Sequence, residues 1–298
     1  MIRSGERLLV TGAGGHVGGE FLRRLAGRGH DGPVRVAARS ARGLDEMRVL
    51  PLDLEVVRGD LRNEAVGAEA GRGVDVVVHV ANLYASPSVV AGAPDARRVI
   101  CVHTTGRYSR FKSAREAYER IEDGLLARHD HLTVLRPTMI YGSRRAWAVS
   151  WLIRQMARRR VMPMVGRGRN LMQPVLARDV ADALMAVLDR DATARQAYDL
   201  PGRAAVPYSQ MLRTISRALG RQHLLVPVPL GPARRVAAAV RARRPGFPIQ
   251  DEQLLRMSED KAFDWSAAAA GFGYDPAGIE EGIAEHVADM AGELGRRP

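Results

Sequence analysis

Residues 10–29 read VTGAGGHVGGEFLRRLAGRG, and this stretch decides the fold class of the 298-residue chain. It joins an apolar run to a helical pattern through a loop in which positions 12, 15 and 18 are glycine. In a strand–loop–helix unit, the first glycine permits a tight turn, the second lets the backbone approach a diphosphate, and the third allows close helix–strand packing. Backbone N–H groups at the start of the helix then bind phosphate oxygens. The stretch therefore predicts a dinucleotide-binding loop formed by Gly12, Gly15, His16, Val17 and Gly18.

Apolar runs alternate with helical patterns through the first 142 residues. The apolar runs are continuous, as expected for parallel strands that are covered on both faces. Alternation at this spacing predicts a doubly wound α/β fold built on a parallel Rossmann sheet. The predicted strands lie at 7–11, 34–38, 54–59, 74–80, 98–103 and 132–136, and the predicted helices at 16–28, 62–70 and 108–128.

The second half of the chain has a looser pattern, with Pro- and Gly-rich connectors at 243–248 and 273–278. We predict that residues 1–142 form the dinucleotide-binding core and that 143–298 form mainly a smaller substrate-binding lobe, with strands near 171–200 returning to the core. The predicted helices here are 145–160, 178–189, 208–219, 232–243, 250–258 and 277–292, and the predicted short strands are 171–176, 196–200 and 223–227.

Composition limits the class of protein. The net charge of +12 invites a nucleic-acid partner, but the 45 basic residues are spread along the chain and aromatic residues make up only 5%, which disfavours that class. The single cysteine, Cys101, lies in an apolar run and is predicted to be buried in a strand. No uninterrupted apolar stretch approaches the ~18 residues of a membrane span. We therefore expect a soluble, cytoplasmic protein that binds a small molecule, with no membrane span and no metal site.

The end of the second predicted strand indicates which dinucleotide is bound. A carboxylate usually stands there when the ribose 2′-hydroxyl of NAD is recognised, whereas arginine accommodates the 2′-phosphate of NADP. Here the residues are Ala38, Arg39 and Ser40, and the next carboxylate is Asp45. Arg39 therefore favours NADP(H). NAD is the alternative, because arginine is common throughout this chain.

Five segments of the chain occur in an order and spacing typical of one enzyme family. The chain resembles the extended short-chain dehydrogenase/reductases, which include nucleotide-sugar epimerases and dehydratases and many ketone reductases. The resemblance covers nearly the whole chain, since AYDLPG (197–202) and FGYDPAGIEEGI (272–283) are similar to the family's C-terminal segments. The five segments are TGAGGHVG (11–18), GDLRN (59–63), VDVVVHVAN (74–82), LRPTMIYG (135–142) and QPVLARDVADAL (173–184).

The resemblance implies further cofactor contacts at the ends of the strands. An adenine site, a ribose site and a nicotinamide site are implied in turn. For Asp60 the residue chemistry leaves an alternative, because this carboxylate could cap a helix that begins near Arg62. His79 lies inside an apolar strand and is interpreted as a hydrogen-bonded core histidine. The implied contacts are Asp60 and Leu61 for adenine, Ala81 for ribose, and Pro137 and Thr138 for nicotinamide.

The proton-transfer residues are predicted from the stretch after the fifth strand. Forty-three of the 45 basic residues are arginine, so a lysine four residues after Tyr108 is unusual. Tyr108, Lys112 and Glu116 are four apart and would share one face of the helix predicted at 108–128. An adjacent ammonium lowers the pKa of a phenol toward the range useful for proton transfer. We therefore predict Tyr108 as proton donor, Lys112 as its cation and a ribose contact, and Thr105 as the residue that orients a carbonyl oxygen.

Two departures from the family pattern affect these predictions. Tyr108 lies only three positions after Thr105, so Tyr108 could instead be the non-catalytic tyrosine that usually follows the strand-end hydroxyl pair. The crossover at 82–97 has 16 residues and is interrupted by prolines and glycine, so it can hold little helix. The resemblance implies a dimer built partly on a long helix at that place. We therefore expect a monomer, or a dimer formed in another way.

Three functions remain open on these grounds. The leading hypothesis is an NADP(H)-dependent oxidoreductase that moves a hydride between the nicotinamide and a small-molecule carbonyl or alcohol. The second is a sugar-nucleotide epimerase or dehydratase with tightly bound cofactor, which the shortened loops disfavour. The third, from a different class, is a cofactor-binding sensor without catalysis.

Overall fold

The computed structural model describes residues 2–39, 44–144, 147–244, 246 and 250–295. Every one of the six strands predicted in the first half is present, so the predicted α/β class is confirmed. The strands are β1 (Leu8–Thr11), β2 (Val34–Ala38), β3 (Leu54–Arg58), β4 (Val76–His79), β5 (Arg98–Val102), β6 (Leu132–Pro137), β7 (Ile140–Tyr141), β8 (Val161–Val165), β9 (Leu171–Met172), β10 (Val175–Leu176), β11 (Ala197–Leu200), β12 (Val206–Pro207) and β13 (Leu224–Val228).

Helices fill the connections between the strands. Short 3₁₀ helices cover Leu83–Ala85, Thr105–Tyr108 and Asp191–Thr193. The α-helices are α1 (His16–Gly27), α2 (Glu64–Gly71), α3 (Ser86–Gly92), α4 (Arg115–Arg128), α5 (Trp147–Arg158), α6 (Ala177–Leu188), α7 (Tyr208–Ala218), α8 (Leu230–Arg243), α9 (Asp251–Arg256), α10 (Ser266–Phe272), α11 (Ile279–Asp289) and α12 (Ala291–Leu294).

Seven strands form one parallel sheet in the order β11-β6-β5-β4-β1-β2-β3. The strand order reverses beside β1, because β2 lies on one side of it and β4 on the other. In doubly wound sheets a ligand binds at this reversal, outside the carboxyl ends of the strands. The fold therefore places a crevice next to the loop that follows β1.

Both faces of the sheet are covered, which explains the continuous apolar runs. Within β1, Leu8 and Val10 belong to the core on one face and Leu9 belongs to the core on the other, since successive side chains alternate. The first core lies beneath α1 and α6, and the second beneath α2, α3 and α4. Cys101 is fully buried in β5, as predicted, and burial raises the pKa of its thiol to about 12.

A third apolar core lies away from the main sheet. It is formed by α5, α7 and α11 together with three two-stranded pairs, β7 with β10, β9 with β12 and β8 with β13. The chain returns to the main sheet at β11, which pairs with β6 in parallel. The division into a core of 1–142 and a lobe of 143–298 stays a prediction, because α6 and α10 in the second half also pack on the main-sheet core.

One predicted helix differs from the structure in a way that matters for the site. The helix predicted at 108–128 begins only at Arg115, and the segment before it forms a 3₁₀ helix and turns. The crossover at 82–97 contains the seven-residue α3, consistent with the expectation of little helix there. The helix predicted from 145 and the connector predicted at 243–248 lie partly outside the described residues.

Candidate functional site

The glycine loop has the geometry of a backbone cradle. Gly12 has a φ of +71°, which favours glycine, and a Cβ there would lie 3.0 Å from the backbone N of Ala81. A Cβ on Gly18 would overlap the carbonyl oxygen of Gly12, so α1 can approach the loop this closely only with glycine at 18. The Gly15 N–H closes the turn by donating to the Gly12 carbonyl at 2.9 Å. The first N–H groups of α1 thus face the crevice with no side-chain cap from Gly15.

A buried histidine supports the floor of this crevice. The Thr11 hydroxyl lies 2.8 Å from Nδ1 of His79 and accepts the backbone N–H of Ala81 at 3.2 Å. His79 Nε2 lies 3.2 Å from the carbonyl oxygen of Asn82. The interpretation of His79 as a hydrogen-bonded core residue is therefore confirmed. Its contacts hold Ala81 against Gly12, where the ribose contact is predicted.

His79 makes the stability of the protein depend on pH. Burial lowers the pKa of His79 from 6.5 to about 4. Its contribution is present above pH 6.5 and is lost as the pH falls toward 4, because only the unfolded chain takes up the proton in that interval. Between pH 7 and pH 4, wild type should lose about 3 kcal/mol of unfolding free energy through this histidine. His79→Gln, which preserves an acceptor and a donor, should not show this loss. Urea unfolding of both proteins tests this, and equal losses would contradict it.

The predicted adenine end lies at the carboxyl ends of β2 and β3. Arg39 is exposed directly after β2, and its charge helps to lower the pKa of Asp60, after the larger effect of the Arg62 hydrogen bonds. The interpretation of Asp60 as a helix cap is wrong, because Asn63 caps α2 by accepting the Ala65 N–H at 2.9 Å. Asp60 instead binds the guanidinium of Arg62 at 2.5 Å. Leu61 is 7% exposed, and Ser40 lies outside the described residues.

The predicted nicotinamide end lies beyond β5 and β6. Thr105 is buried, and its hydroxyl lies 3.4 Å from the carbonyl oxygen of Pro137. The hydroxyl of Thr138 donates to the carbonyl of Gln173 at 2.5 Å. The structure therefore brings Thr105, Pro137 and Thr138 together at one edge of the sheet.

The predicted shared helix face of Tyr108, Lys112 and Glu116 is wrong. Tyr108 ends a 3₁₀ helix and Lys112 lies in a turn before α4. The ammonium of Lys112 donates to Oε1 of Glu252 at 2.7 Å, and this bond is the largest cause that lowers the pKa of Glu252 to about 2. Carboxylates of the lobe accept backbone N–H groups of this segment, including that of Ser113, which a helix begun at Tyr108 would bond to the Ser109 carbonyl. Glu259 binds the N–H of Arg110 at 2.7 Å, and Glu252 binds that of Ser113 at 3.2 Å.

Two other charged side chains contact the Tyr108 hydroxyl. Nη1 of Arg136 donates to it at 2.8 Å, and the hydroxyl donates to Oδ1 of Asp199 at 3.3 Å. Burial raises the pKa of Tyr108, and Arg136 opposes this effect. Sequence reasoning missed Arg136 and Asp199. The available signal was an Arg and an Asp at the carboxyl ends of two predicted strands.

A second tyrosine near the crevice was also missed. Tyr118 lies on α4, and its ring centroid is 5.7 Å from that of Tyr84, which follows β4. A Cβ on Gly106 would lie 3.6 Å from the Tyr118 ring and 3.2 Å from the hydroxyl of Thr104. Tyr118 thus stands beside the ends of β4 and β5, whereas the Tyr108 hydroxyl contacts β6 and β11.

The lobe meets the glycine loop at a cavity of about 480 Å³. His16 Nδ1 lies 2.8 Å from the hydroxyl of Ser143, so the first residue of α1 contacts the second half of the chain. The cavity is lined by polar and charged side chains from both halves, among them Glu20, Arg23, Glu46, Ser143, Arg144 and Asp289.

Two absences hold for the described part of the chain. None of its helices is long and apolar enough to cross a bilayer. Across the same ranges, no three His, Cys, Asp or Glu side chains converge as metal ligands would.

Known proteins resemble this chain in sequence. Residues 8–96 and 83–200 match the family described as the NAD dependent epimerase/dehydratase family. A (4-alkanoyl-5-oxo-2,5-dihydrofuran-3-yl)methyl phosphate reductase from Streptomyces griseus is 30% identical over 227 residues, covering 72% of this chain and 74% of that protein.

Solved structures show the same fold at low identity. A dTDP-glucose 4,6-dehydratase from Streptomyces venezuelae with NAD bound superposes with a TM-score of 0.76 at 18% identity, covering 97% of this chain and 98% of that chain. A UDP-glucose 4-epimerase from Thermotoga maritima has a TM-score of 0.73 at 16% identity, covering 97% of this chain and 99% of that chain.

Proposed function

The chain belongs to the NAD-dependent epimerase/dehydratase family, an enzyme family, and from this premise we propose that it is an NADP(H)-dependent reductase of a small-molecule carbonyl. The cradle formed by Gly12, Gly18 and Ala81 is the observation that carries the proposal. A Cβ at either glycine would meet the backbone of the loop itself, at Ala81 for Gly12 and at the Gly12 carbonyl for Gly18, so the tight turn and the close start of α1 both require glycine. The residues present therefore fit a dinucleotide.

The site divides into a holding part and a reacting part. When bound, a nicotinamide dinucleotide supplies or accepts a hydride. The chain's own residues bind the diphosphate through the N–H groups of α1 and support the ribose at Ala81. Pro137 and Thr138 are the proposed nicotinamide contacts, and the hydroxyl of the buried Thr105 lies beside the Pro137 carbonyl.

Tyr108 is the proposed proton donor to the carbonyl oxygen. Its side chain is 42% exposed, so a substrate can reach it, and its ring packs against Phe263 from the lobe at 5.7 Å between centroids. Thr105 and Lys112, the other two predicted catalytic residues, have different surroundings. Thr105 is placed near the reacting end, while Lys112 joins the turn to the lobe through Glu252.

Arg39 is the proposed contact for the 2′-phosphate of NADP. We expect NADPH to bind at least about tenfold more tightly than NADH, which one charge-assisted contact of about 1.4 kcal/mol can supply. Arg39→Ala should remove the preference without weakening NADH. Nucleotide fluorescence titration of the two proteins with both cofactors tests this. Arg62→Ala is the matched control, because Arg62 lies at the same edge but is bound to Asp60. Equal affinities of the wild-type protein for NADPH and NADH would show that it has no preference for NADP.

Reduction is tested directly by a substrate panel. The relative from Streptomyces griseus is named a reductase, so the panel includes an alkanoyl dihydrofuranone phosphate besides simple ketones and aldehydes. Oxidation of NADPH that depends on one of these compounds supports the proposal. Failure of the whole panel with both cofactors overturns it.

An epimerase or dehydratase is the second candidate, favoured by the structural likeness to enzymes of those classes. It predicts cofactor that stays bound through purification and no net redox turnover. Mass spectrometry of the denatured protein, together with the panel, separates the two functions. A protein that binds cofactor but transforms neither a carbonyl compound of the panel nor a sugar nucleotide would be a sensor. The subunit arrangement stays a prediction, a monomer or a dimer that does not use α3.

A further inference from the structure

The Tyr108 hydroxyl lies between two oppositely charged groups from neighbouring strands. Arg136 and Asp199 are register partners in β6 and β11, so their side chains leave the sheet on the same face. Nη1 of Arg136 lies 2.8 Å from the phenol oxygen and 3.4 Å from Oδ1 of Asp199. The phenol oxygen is 3.3 Å from the same carboxylate oxygen. The three groups therefore form a compact triangle at the carboxyl edge of the sheet.

The buried carboxylate of Glu122 fixes the orientation of Arg136. Its Nε and Nη2 donate to Oε1 of Glu122 at 2.7 and 2.5 Å, and Glu122 is 1% exposed. The other oxygen of Glu122 accepts from Nδ1 of His103 at 2.9 Å, and His103 Nε2 lies 3.1 Å from the hydroxyl of Ser86. Burial opposes the charge of Glu122, but the bonds from His103 and Arg136 outweigh burial and hold its pKa at about 2. A charged, fully bonded Glu122 thus directs Arg136 toward Tyr108.

We propose that Tyr108, Arg136 and Asp199 form one proton-transfer site, in which Arg136 rather than Lys112 is the cation beside the phenol and Asp199 returns the proton. This inference rests on the proposed reductase function and adds the groups through which Tyr108 acts. Arg136 and Asp199 are positioning residues, because they act on the substrate only through Tyr108.

The step balances in atoms and charge. As the carbonyl carbon accepts the hydride, the π pair of the C=O bond moves to oxygen and forms a bond to the Tyr108 proton. The O–H bond of Tyr108 breaks and leaves a phenolate beside the Arg136 guanidinium. A proton from solvent reaches the phenolate through the carboxyl group of Asp199, which is 21% exposed at its side chain. The product is the alcohol, and the phenol is restored.

Other charges face the same phenol and act in known directions. The guanidinium carbons of Arg107 and Arg136 both lie 5.7 Å from the ring centroid of Tyr108. Arg107 is bound to Glu122 and Asp123, so much of its charge is compensated. Asp199 raises the pKa of Tyr108 and Arg136 lowers it. Removing Asp199 must therefore lower the pKa of Tyr108, and removing Arg136 must raise it.

The test follows the ionisation of Tyr108 in the protein without added cofactor. All seven tyrosines are labelled with ¹³C at the ζ carbon, and the Tyr108 resonance is assigned by its loss in Tyr108→Phe. We expect Arg136→Gln to raise the pKa of Tyr108, Arg136→Lys to raise it less, and Asp199→Asn to lower it. Lys112→Met is the matched control. The Tyr108 resonance should titrate in this variant as in wild type, because the ammonium of Lys112 binds Glu252.

The same variants are then compared in turnover on the substrate that the panel identifies. Arg136→Gln should lower kcat at neutral pH, because a phenol with a raised pKa is a weaker general acid, and should move the pH profile of kcat in the direction in which the pKa of Tyr108 shifts. If Arg136→Gln does not fold, Asp199→Asn and Arg136→Lys still carry the test. If the pKa of Tyr108 shifts in Lys112→Met but not in the Arg136 and Asp199 variants, the proposed proton-transfer site is overturned. A wild-type protein that reduces no carbonyl overturns the reductase function instead, whatever the phenol does.

Discussion

Phenylalanine in place of Tyr108 will lower kcat/KM for carbonyl reduction by about 100-fold or more, the scale of a lost general acid. The variant keeps the ring that packs on Phe263 and loses only the hydroxyl between Arg136 and Asp199. We therefore expect unchanged NADPH affinity and a loss confined to turnover. Steady-state kinetics with fluorescence titration of the cofactor measures both quantities.

Tyr118→Phe is the matched control for this prediction. Tyr118 also stands near the carboxyl edge of the sheet, against Tyr84, and among the described residues its hydroxyl makes no hydrogen bond. Its loss should change kcat/KM by no more than a few-fold. A 100-fold loss in Tyr118→Phe with a wild-type rate in Tyr108→Phe would move the proton donor to α4 and contradict the assignment of Tyr108.

Alanine at Gly18 will weaken NADPH binding by about 100-fold, or about 2.7 kcal/mol. The new Cβ would overlap the Gly12 carbonyl, so α1 must move away from β1 and its N–H groups leave the diphosphate. Overpacking of this kind also costs folding stability, typically about 1–3 kcal/mol. Isothermal titration of NADPH and urea unfolding measure the two effects separately.

The neighbouring glycine provides the control. A Cβ on Gly19 would lie 3.6 Å from Ala13 and from Met47, which is ordinary contact. Gly19 is inside α1, where alanine is favoured over glycine by up to about 1 kcal/mol. Gly19→Ala should therefore bind NADPH as wild type and unfold at higher urea. Equal effects at the two positions would show that the loop does not depend on close packing at Gly18.

Local patterns in the sequence were sufficient for the fold and for the geometry of the glycine loop. Continuous apolar runs predict the six strands from β1 to β6, because a strand buried on both faces needs apolar side chains at every position. The spacing of Gly12, Gly15 and Gly18 predicts the loop, because the turn and the close packing depend on residues a few positions apart. His79 was interpreted correctly for a similar reason, since a lone polar residue in a buried strand must find partners nearby.

The surroundings of Tyr108 could not be derived in this way. The spacing of Tyr108, Lys112 and Glu116 has meaning only in a helix. Glu252, 139 positions after Ser113, accepts the Ser113 N–H that such a helix would use. Asp199, 91 positions after Tyr108, reaches it only because β11 returns to pair with β6. Composition and spacing therefore establish the sheet, the loop and the enzyme family. Which cation stands beside the phenol depends on long-range contacts, because a charged side chain binds whichever carboxylate the folded chain brings within hydrogen-bonding distance.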